Sequence, residues 1–288
     1  WQMMTPKNSF SSCEILSWRT DQLAKGGDLE SIDWLLDNGG GLGWSELQKL
    51  KLFQNKSFLL HLSLKELAII WSNHIDNQKP LQYLLGKCSW RDFELQINSS
   101  ALIPRPETEL VIDIALSKVP RSQKSGIWAD LGTGAGPLAI ALARSLKGWV
   151  GHAVDCSKNA LSLARKNSQI LAPSSKVIFH LGNWWEPLKT VNQKFDLVVS
   201  NPPYIPISDL KDLDPIVRDN EPHIALSGGL DGMDHCRSII QGSINHLSPG
   251  GWLIFEHHFD QSDRALDLLI KAGFIEVDFK RDLQGIKR

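Results

Sequence analysis

From Ile127 onward, short apolar runs alternate with stretches of helical spacing, and few folds accommodate that alternation: it predicts a parallel sheet covered by helices on both faces. The runs predict strands near 127–131, 150–155, 176–181, 195–200, 250–256 and 274–280, and helices near 107–118, 136–146, 157–171, 232–247 and 260–272. The fourth run, Phe195 to Ser200, meets Asn201-Pro202-Pro203-Tyr204. Two adjacent prolines cannot continue a central strand, so a rigid loop begins there. Proline also pushes the preceding residue toward an extended conformation, which holds the carbonyls of Asn201 and Pro202 in place. With the Asn201 side-chain oxygen these form a set of acceptors for the two coplanar N–H groups of an amino group on an sp² carbon. Tyr204 or another aromatic would cover the flat face of such a group. The plainer reading is a proline-rich loop that only ends a strand.

The first strand turns into its helix through Asp130-Leu131-Gly132-Thr133-Gly134-Ala135-Gly136. Glycines at this turn let the backbone approach a ligand and present N–H groups at a helix N-terminus. The spacing is GxGxG behind an acid, with Pro137 after Gly136, and not the G-x-G-x-x-G that holds a pyrophosphate. That form suits S-adenosyl-L-methionine, which has no phosphate. Asp155 ends the second strand about twenty residues past the glycines, where a carboxylate can accept both ribose hydroxyls. An ordinary helix cap ahead of Ser157 is the alternative. After the third strand, Asn183 is placed to bond the amino edge of an adenine and Trp184 to pack on its ring, with a core position the alternative for Trp184 or Trp185. Glycine loop, ribose acid, adenine loop and Asn-Pro-Pro-Tyr therefore follow one another at the C-terminal ends of successive strands, where an open α/β sheet binds ligands.

The 288 residues suffice for two units. From about Ser12 to Pro80 the apolar positions recur at helical spacing, through Ile15 and Trp18, Ile32, Leu35 and Leu36, Leu47, Leu50 and Leu52, then Leu64, Leu67, Ala68, Trp71 and Ile75. Ser63 with Glu66 predicts a capping box. The expected organisation is a helical domain over 1–80, for core stability or partner recognition, a β-hairpin linker over 81–103 where Phe93, Leu95 and Ile97 alternate with polar residues, and the α/β domain over 104–288. Pro106 suits a first helical position, and Glu107 and Glu109 suit the positive end of the helix dipole. The first ten residues read as a polar tail, and Met3 and Met4 just inside Trp1 leave the natural start open. Thirty-one basic against 32 acidic residues give a net charge of -1, so no strong field would draw the molecule to a nucleic-acid backbone. Cys13, Cys88, Cys156 and Cys236 lack paired spacing, which indicates neither a metal site nor a disulfide framework and fits a reducing cytoplasm. No apolar stretch approaches the roughly 18 residues of a membrane span.

Together these segments resemble the protein-(glutamine) methyltransferases that modify peptide chain release factors. The resemblance runs from about Leu81 to the C-terminus, through Gln82-Tyr83-Leu84-Leu85-Gly86, Arg105-Pro106-Glu107-Thr108-Glu109, Asp130 to Gly136, Asn201 to Tyr204, and Glu256-His257. It implies a Rossmann-like class I S-adenosylmethionine-dependent methyltransferase domain preceded by a small helical bundle, and a substrate glutamine in the Gly-Gly-Gln tripeptide of class I release factors. By position it implies that Gly132, Thr133, Gly134, Ala135 and Gly136 line the donor, that Asp155 holds the ribose and that Trp184 borders the adenine. Asn201 would contact donor and substrate, Pro202, Pro203 and Tyr204 would complete the glutamine pocket, and Asn201, Pro202 and Tyr204 would carry the catalysis, with no metal. A monomer without membrane attachment or stable nucleic-acid binding is expected. Asn-Pro-Pro-Tyr alone is similar to the loop of adenine-specific DNA and some guanine-specific rRNA methyltransferases, so an amino methyltransferase acting on DNA or rRNA is the alternative. A non-catalytic module that binds a translation factor is a third reading. Two departures stand out: His258 occupies a place where glycine is common, and the chain ends at Arg288, where the family continues into a last antiparallel strand. His223, His235, His257 and His258 receive no assigned role.

Overall fold

The computed structural model describes residues 8–53 and 56–288, in two compact units that divide between Gly86 and Lys87. In the first unit the helical spacing becomes α1 (Ser12–Leu23), α2 (Leu29–Asn38), α3 (Gly43–Leu52), α4 (Leu64–Asn77) and the short α5 (Leu81–Leu85). Ile15, Trp18, Ile32, Leu35, Leu36, Leu47, Leu50, Leu67 and Trp71 are buried together, and Leu52 is exposed, contrary to its place in the apolar pattern. The capping box at α4 is present: Glu66 N–H donates to Ser63 Oγ at 3.3 Å and Ser63 N–H to Glu66 Oε2 at 2.8 Å. The expected polar tail is corrected in part, because β1 (Ser9–Ser11) pairs antiparallel with β2 (Ser57–Leu59), Phe10 opposite Phe58. Trp1, Met3 and Met4 lie outside the described residues.

The second unit opens with a hairpin, β3 (Lys87–Trp90) and β4 (Phe93–Gln96), which belongs to this unit and is shorter than the 81–103 segment read as a linker. A 3₁₀ turn over Pro106–Thr108 leads into α6 (Glu109–Lys118). There follow β5 (Ile127–Leu131), α7 (Pro137–Ser145), β6 (Val150–Asp155), α8 (Lys158–Leu171), β7 (Lys176–Leu181) and β8 (Phe195–Ser200). The chain continues through α9 (Pro215–Arg218), α10 (Asp234–His246), β9 (Leu247–Phe255) and α11 (Ser262–Lys271). The five parallel strands lie in the order β7-β6-β5-β8-β9. Trp128, Ala129, Leu131, Ala153, Val154, Leu197, Val198 and Val199 are buried, as strands covered on both faces require. The chain order reverses between β5 and β8, and the crevice beyond the carboxyl ends of those two strands is where ligands bind in such sheets.

The strand expected at 274–280 is absent from the sheet. Glu276 holds φ 55°, a left-handed conformation that interrupts an extended run, and Ile275 is exposed. His258 shows no positive φ, so the backbone there does not call for the glycine common at its place.

Candidate active site

The β5–α7 turn is bent by Gly132 at φ 78° and Gly134 at φ 56°, values costly for a residue with a Cβ. A Cβ on Gly132 would stand 3.2 Å from the Trp184 ring, whereas one on Gly134 would meet nothing within 4 Å. The loop is held from below by Asp130, which is fully buried. Its Oδ2 accepts from Thr133 Oγ1 at 2.7 Å and from Ala139 N–H at 3.1 Å, and burial raises its carboxyl to about 7. Asp130 Oδ1 has no hydrogen-bond partner among the described residues. From the side, Asp155 Oδ2 accepts from Gly134 N–H and Oδ1 from Ser157 N–H, both at 2.8 Å. Burial pushes the Asp155 carboxyl up, and those two N–H groups pull it down. Asp155 therefore shapes the loop, and the helix cap of α8 falls to Ser157, whose hydroxyl accepts from Ala160 N–H.

Asn167 was not singled out in the sequence. It is fully buried on α8, and its Nδ2 donates to Ala135 O and to Gln96 O at 2.9 Å each, while its Oδ1 accepts from Gln96 N–H at 2.9 Å. One side chain thus ties the glycine loop to β4.

Beyond β8, Asn201 Nδ2 donates to Thr108 Oγ1 at 3.0 Å, and Thr108 Oγ1 donates to Glu256 Oε2 at 2.6 Å. Tyr204 donates its hydroxyl hydrogen to Glu256 Oε1 at 3.0 Å. Burial raises the Glu256 carboxyl above the usual carboxylate range, opposed by these two hydroxyls and by the nearby Arg288. Burial, together with the Glu256 charge, also pushes the Tyr204 phenol up. The segment carrying Thr108 is pinned at Arg105, whose Nη2 meets Glu221 Oε1 at 2.6 Å, while Glu221 Oε2 accepts Ile103 N–H at 3.0 Å. Glu109 accepts from Arg91 N–H at 3.0 Å, so it serves the hairpin turn as well as the start of α6.

A cavity of about 190 Å³ lies where these pieces meet. Gly132, Thr133, Gly134 and Ala135 line it with Asp155, Asn183, Trp184, Asn201 and Pro203. Gly136, Pro202 and Tyr204 are not among its lining residues, and Pro202 is buried. Trp184 borders the cavity at φ 44°, a conformation that costs a bulky residue about 1–2 kcal/mol and marks a constrained position. Trp185 is core, its Nε1 donating to Ile239 O at 3.0 Å. His235, left unassigned in the sequence, lines the cavity and lies 5.2 Å from Trp184 between ring centroids, with Nε2 on Ser227 O. Ser100, Leu102, Pro104 and Ile224 complete much of the wall, in loops whose sequence gives no periodic signal. A larger cavity of about 600 Å³ lies along β9 and α11 and contains none of the expected site residues.

The donor chemistry of this site can be tested against its shape. One fully buried aspartate with an unpaired oxygen, Asp130, and one half-buried aspartate, Asp155, hold the glycine loop, and no lysine or arginine lines the cavity to meet a phosphate. An uncharged ribose and a cationic sulfonium fit that surrounding, and a pyrophosphate does not.

A family model described as "Methyltransferase small domain" matches residues 111–218. A release factor glutamine methyltransferase of Prochlorococcus marinus is 58% identical over 286 residues, which span 99% of this chain and 98% of that one. This chain belongs to the release factor glutamine methyltransferase family. Its members of Synechocystis sp. and Geobacter sulfurreducens are 37% identical over 98% of this chain and 97% of theirs, and 36% identical over 96% and 94%. The chain is an S-adenosyl-L-methionine-dependent methyltransferase with a class I fold. Among the described residues no helix is long and apolar enough to cross a membrane.

Proposed function

We propose that this chain transfers the methyl group of S-adenosyl-L-methionine to the side-chain amide nitrogen of the glutamine in the Gly-Gly-Gln tripeptide of class I peptide chain release factors. The observation that supports it most is that one cavity, at the reversal between β5 and β8, is lined both by the glycine loop with Asp155 and by Asn201, in a chain 58% identical to a release factor glutamine methyltransferase. Gly132, Thr133, Gly134 and Ala135 would hold the donor, with Gly136 completing the turn, Asp155 at its ribose and Asn183 and Trp184 at its adenine. When bound, the donor supplies an electrophilic methyl on a sulfonium sulfur that departs as a neutral thioether.

An amide nitrogen is a poor nucleophile, because its lone pair is delocalised into the carbonyl. The chain's contribution is therefore orientation. Asn201 Oδ1 accepts an amide N–H and aims the nitrogen along the line of displacement, which can lower a barrier by about 7–11 kcal/mol in favourable cases, while Pro202, buried and outside the cavity lining, stiffens the loop behind it in place of the direct contact expected of its carbonyl. As the N–C bond forms, the nitrogen becomes acidic and releases a proton to water, so the scheme requires no dedicated base. Pro203 walls the pocket, and Tyr204 acts from behind it through Glu256. The helical unit serves partner recognition, and the enzyme works as a cytoplasmic monomer that holds no nucleic acid stably. The test is incubation of the purified protein with methyl-labelled donor and, separately, a class I release factor and a nucleic-acid control. Label in the release factor alone is expected; label in the nucleic acid alone would move the assignment to the base-methylating relatives.

A further inference from the structure

We infer that Thr108 and Glu256 are positioning residues that select which end of the Asn201 amide faces the acceptor. The inference rests on the reading of Asn201 as the group that meets the substrate amide. An asparagine amide has two chemically opposite ends, an acceptor oxygen and a donor NH2, and rotation by half a turn exchanges them at almost no steric cost. Only the oxygen can receive the N–H groups of a glutamine side chain. Presented the other way round, Asn201 would set a donor against a donor.

The choice is made by the order of hydrogens behind it. The carboxylate of Glu256 is 2% exposed and receives two hydroxyls, Thr108 on Oε2 and Tyr204 on Oε1. Both carboxyl oxygens of Glu256 are thus taken as acceptors, and the single hydroxyl hydrogen of Thr108 points at Oε2. Thr108 Oγ1, itself 2% exposed, then has only lone pairs left for its other neighbour. That neighbour is Asn201, which must turn its NH2 to Thr108, as the 3.0 Å contact records. Asn201 Oδ1 has no donor among the described residues and is left for the cavity that Asn201 and Thr108 both line. The relay spans three separate parts of the chain: the turn before α6, the end of β8 and the end of β9. Gln261 fixes the loop from the opposite side, Nε2 donating to Tyr204 O at 2.9 Å and Oε1 accepting His258 N–H at 3.0 Å.

The test compares Thr108→Val, Thr108→Ser and the unaltered protein in methyl transfer to a class I release factor at saturating donor, with donor affinity measured by calorimetry. Valine removes the hydroxyl and frees the Asn201 amide to rotate; serine keeps both the donor and the acceptor. A misplaced reacting group costs about 100-fold, so kcat of Thr108→Val is expected to fall by about that factor, with Thr108→Ser within about five-fold of the unaltered protein. The release-factor KM should change by less than about three-fold in both variants, and the donor Kd of the valine and serine variants should agree within about three-fold, because Thr108 lines the cavity but turns its hydroxyl to Glu256 and Asn201 and not to the donor. Equal kcat in the valine and serine variants, or a loss that appears wholly in KM or in donor binding, would overturn the inference while leaving the release-factor reading intact. Absence of transfer by the unaltered protein, with donor bound, would overturn that reading and the inference together.

Discussion

Asp155 Oδ2 accepts a hydrogen bond from Gly134 N–H at 2.8 Å, so the residue that ends β6 holds the loop that leaves β5. A carboxylate read as a ribose ligand is thereby also a strut of the glycine turn. Replacing it with alanine removes two backbone hydrogen bonds to a charged acceptor and any bond to the donor. Hydrogen bonds of that type contribute about 1.5–3 kcal/mol each, so donor Kd in Asp155→Ala should rise by at least about 10-fold in calorimetric titration. Asp155→Glu, which moves the carboxylate by one methylene, should also weaken binding, because the loop contact at Gly134 fixes where the oxygens must sit.

Asn167 connects that loop to the hairpin through three hydrogen bonds. Asn167→Ala leaves the Ala135 and Gln96 carbonyls and the Gln96 N–H without it in a buried place. The expected loss is about 2–4 kcal/mol of stability in denaturant unfolding, with weaker donor binding in what remains folded. Unchanged stability would mean that β4 and the glycine loop are held by other contacts.

The ion pair between half-buried Arg105 and buried Glu221 holds the segment that carries Thr108. Arg105→Ala would leave the Glu221 carboxylate, 4% exposed, without its counter-charge, which costs about 3 kcal/mol. A melting temperature lowered by several degrees is expected, and the double variant Arg105→Ala with Glu221→Gln should recover part of it. An equal or larger loss in the double variant would contradict this account of the pair.

Asp130 gives stability a pH dependence of definite sign. Burial raises its carboxyl to about 7 in the folded chain, above the value of an exposed aspartate, so the unfolded chain releases its proton first. The stability difference between protein and Asp130→Asn should therefore change as pH rises from about 4 to about 7, the aspartate protein losing stability relative to the asparagine variant. Urea unfolding at several pH values across that window measures it. Parallel curves for the two proteins would show that Asp130 keeps an ordinary carboxyl, stabilised by Thr133 and Ala139.

The parts of the site that were legible in the sequence are those where chain direction changes abruptly. β5, β6 and β8 occupy the expected ranges because each is a largely buried run that stops at a glycine turn, an acid or the prolines, and β7, an edge strand with no buried residue, keeps its range through the glycine that follows it. Asn201, Asp155 and the glycines announce themselves by standing at those ends. Thr108 and Glu256 stand in segments that carry the family resemblance, yet their roles, like those of Asn167 and Glu221, are not legible there, since each acts through a partner 71 to 148 residues away. Tyr204 was legible as an aromatic beside the prolines, but its hydroxyl bond to Glu256 was not, because nothing local brings the end of β9 beside β8. The three-residue strands β1 and β2 are too short to carry a period. The expected strand at 274–280 shows the opposite case: alternating residues without a neighbour to cover them, broken at Glu276.

The central claim is that the methyl group goes to the glutamine amide that Asn201 orients. Its most direct test is peptide-resolved mass spectrometry of a class I release factor after incubation with donor and either this protein or its Asn201→Ala variant. The account predicts one added methyl on the Gly-Gly-Gln peptide, located on the glutamine side chain, and a loss of at least about 100-fold in its rate with the variant. A methyl group on any other residue, or near-normal turnover by Asn201→Ala at saturating donor, would contradict it.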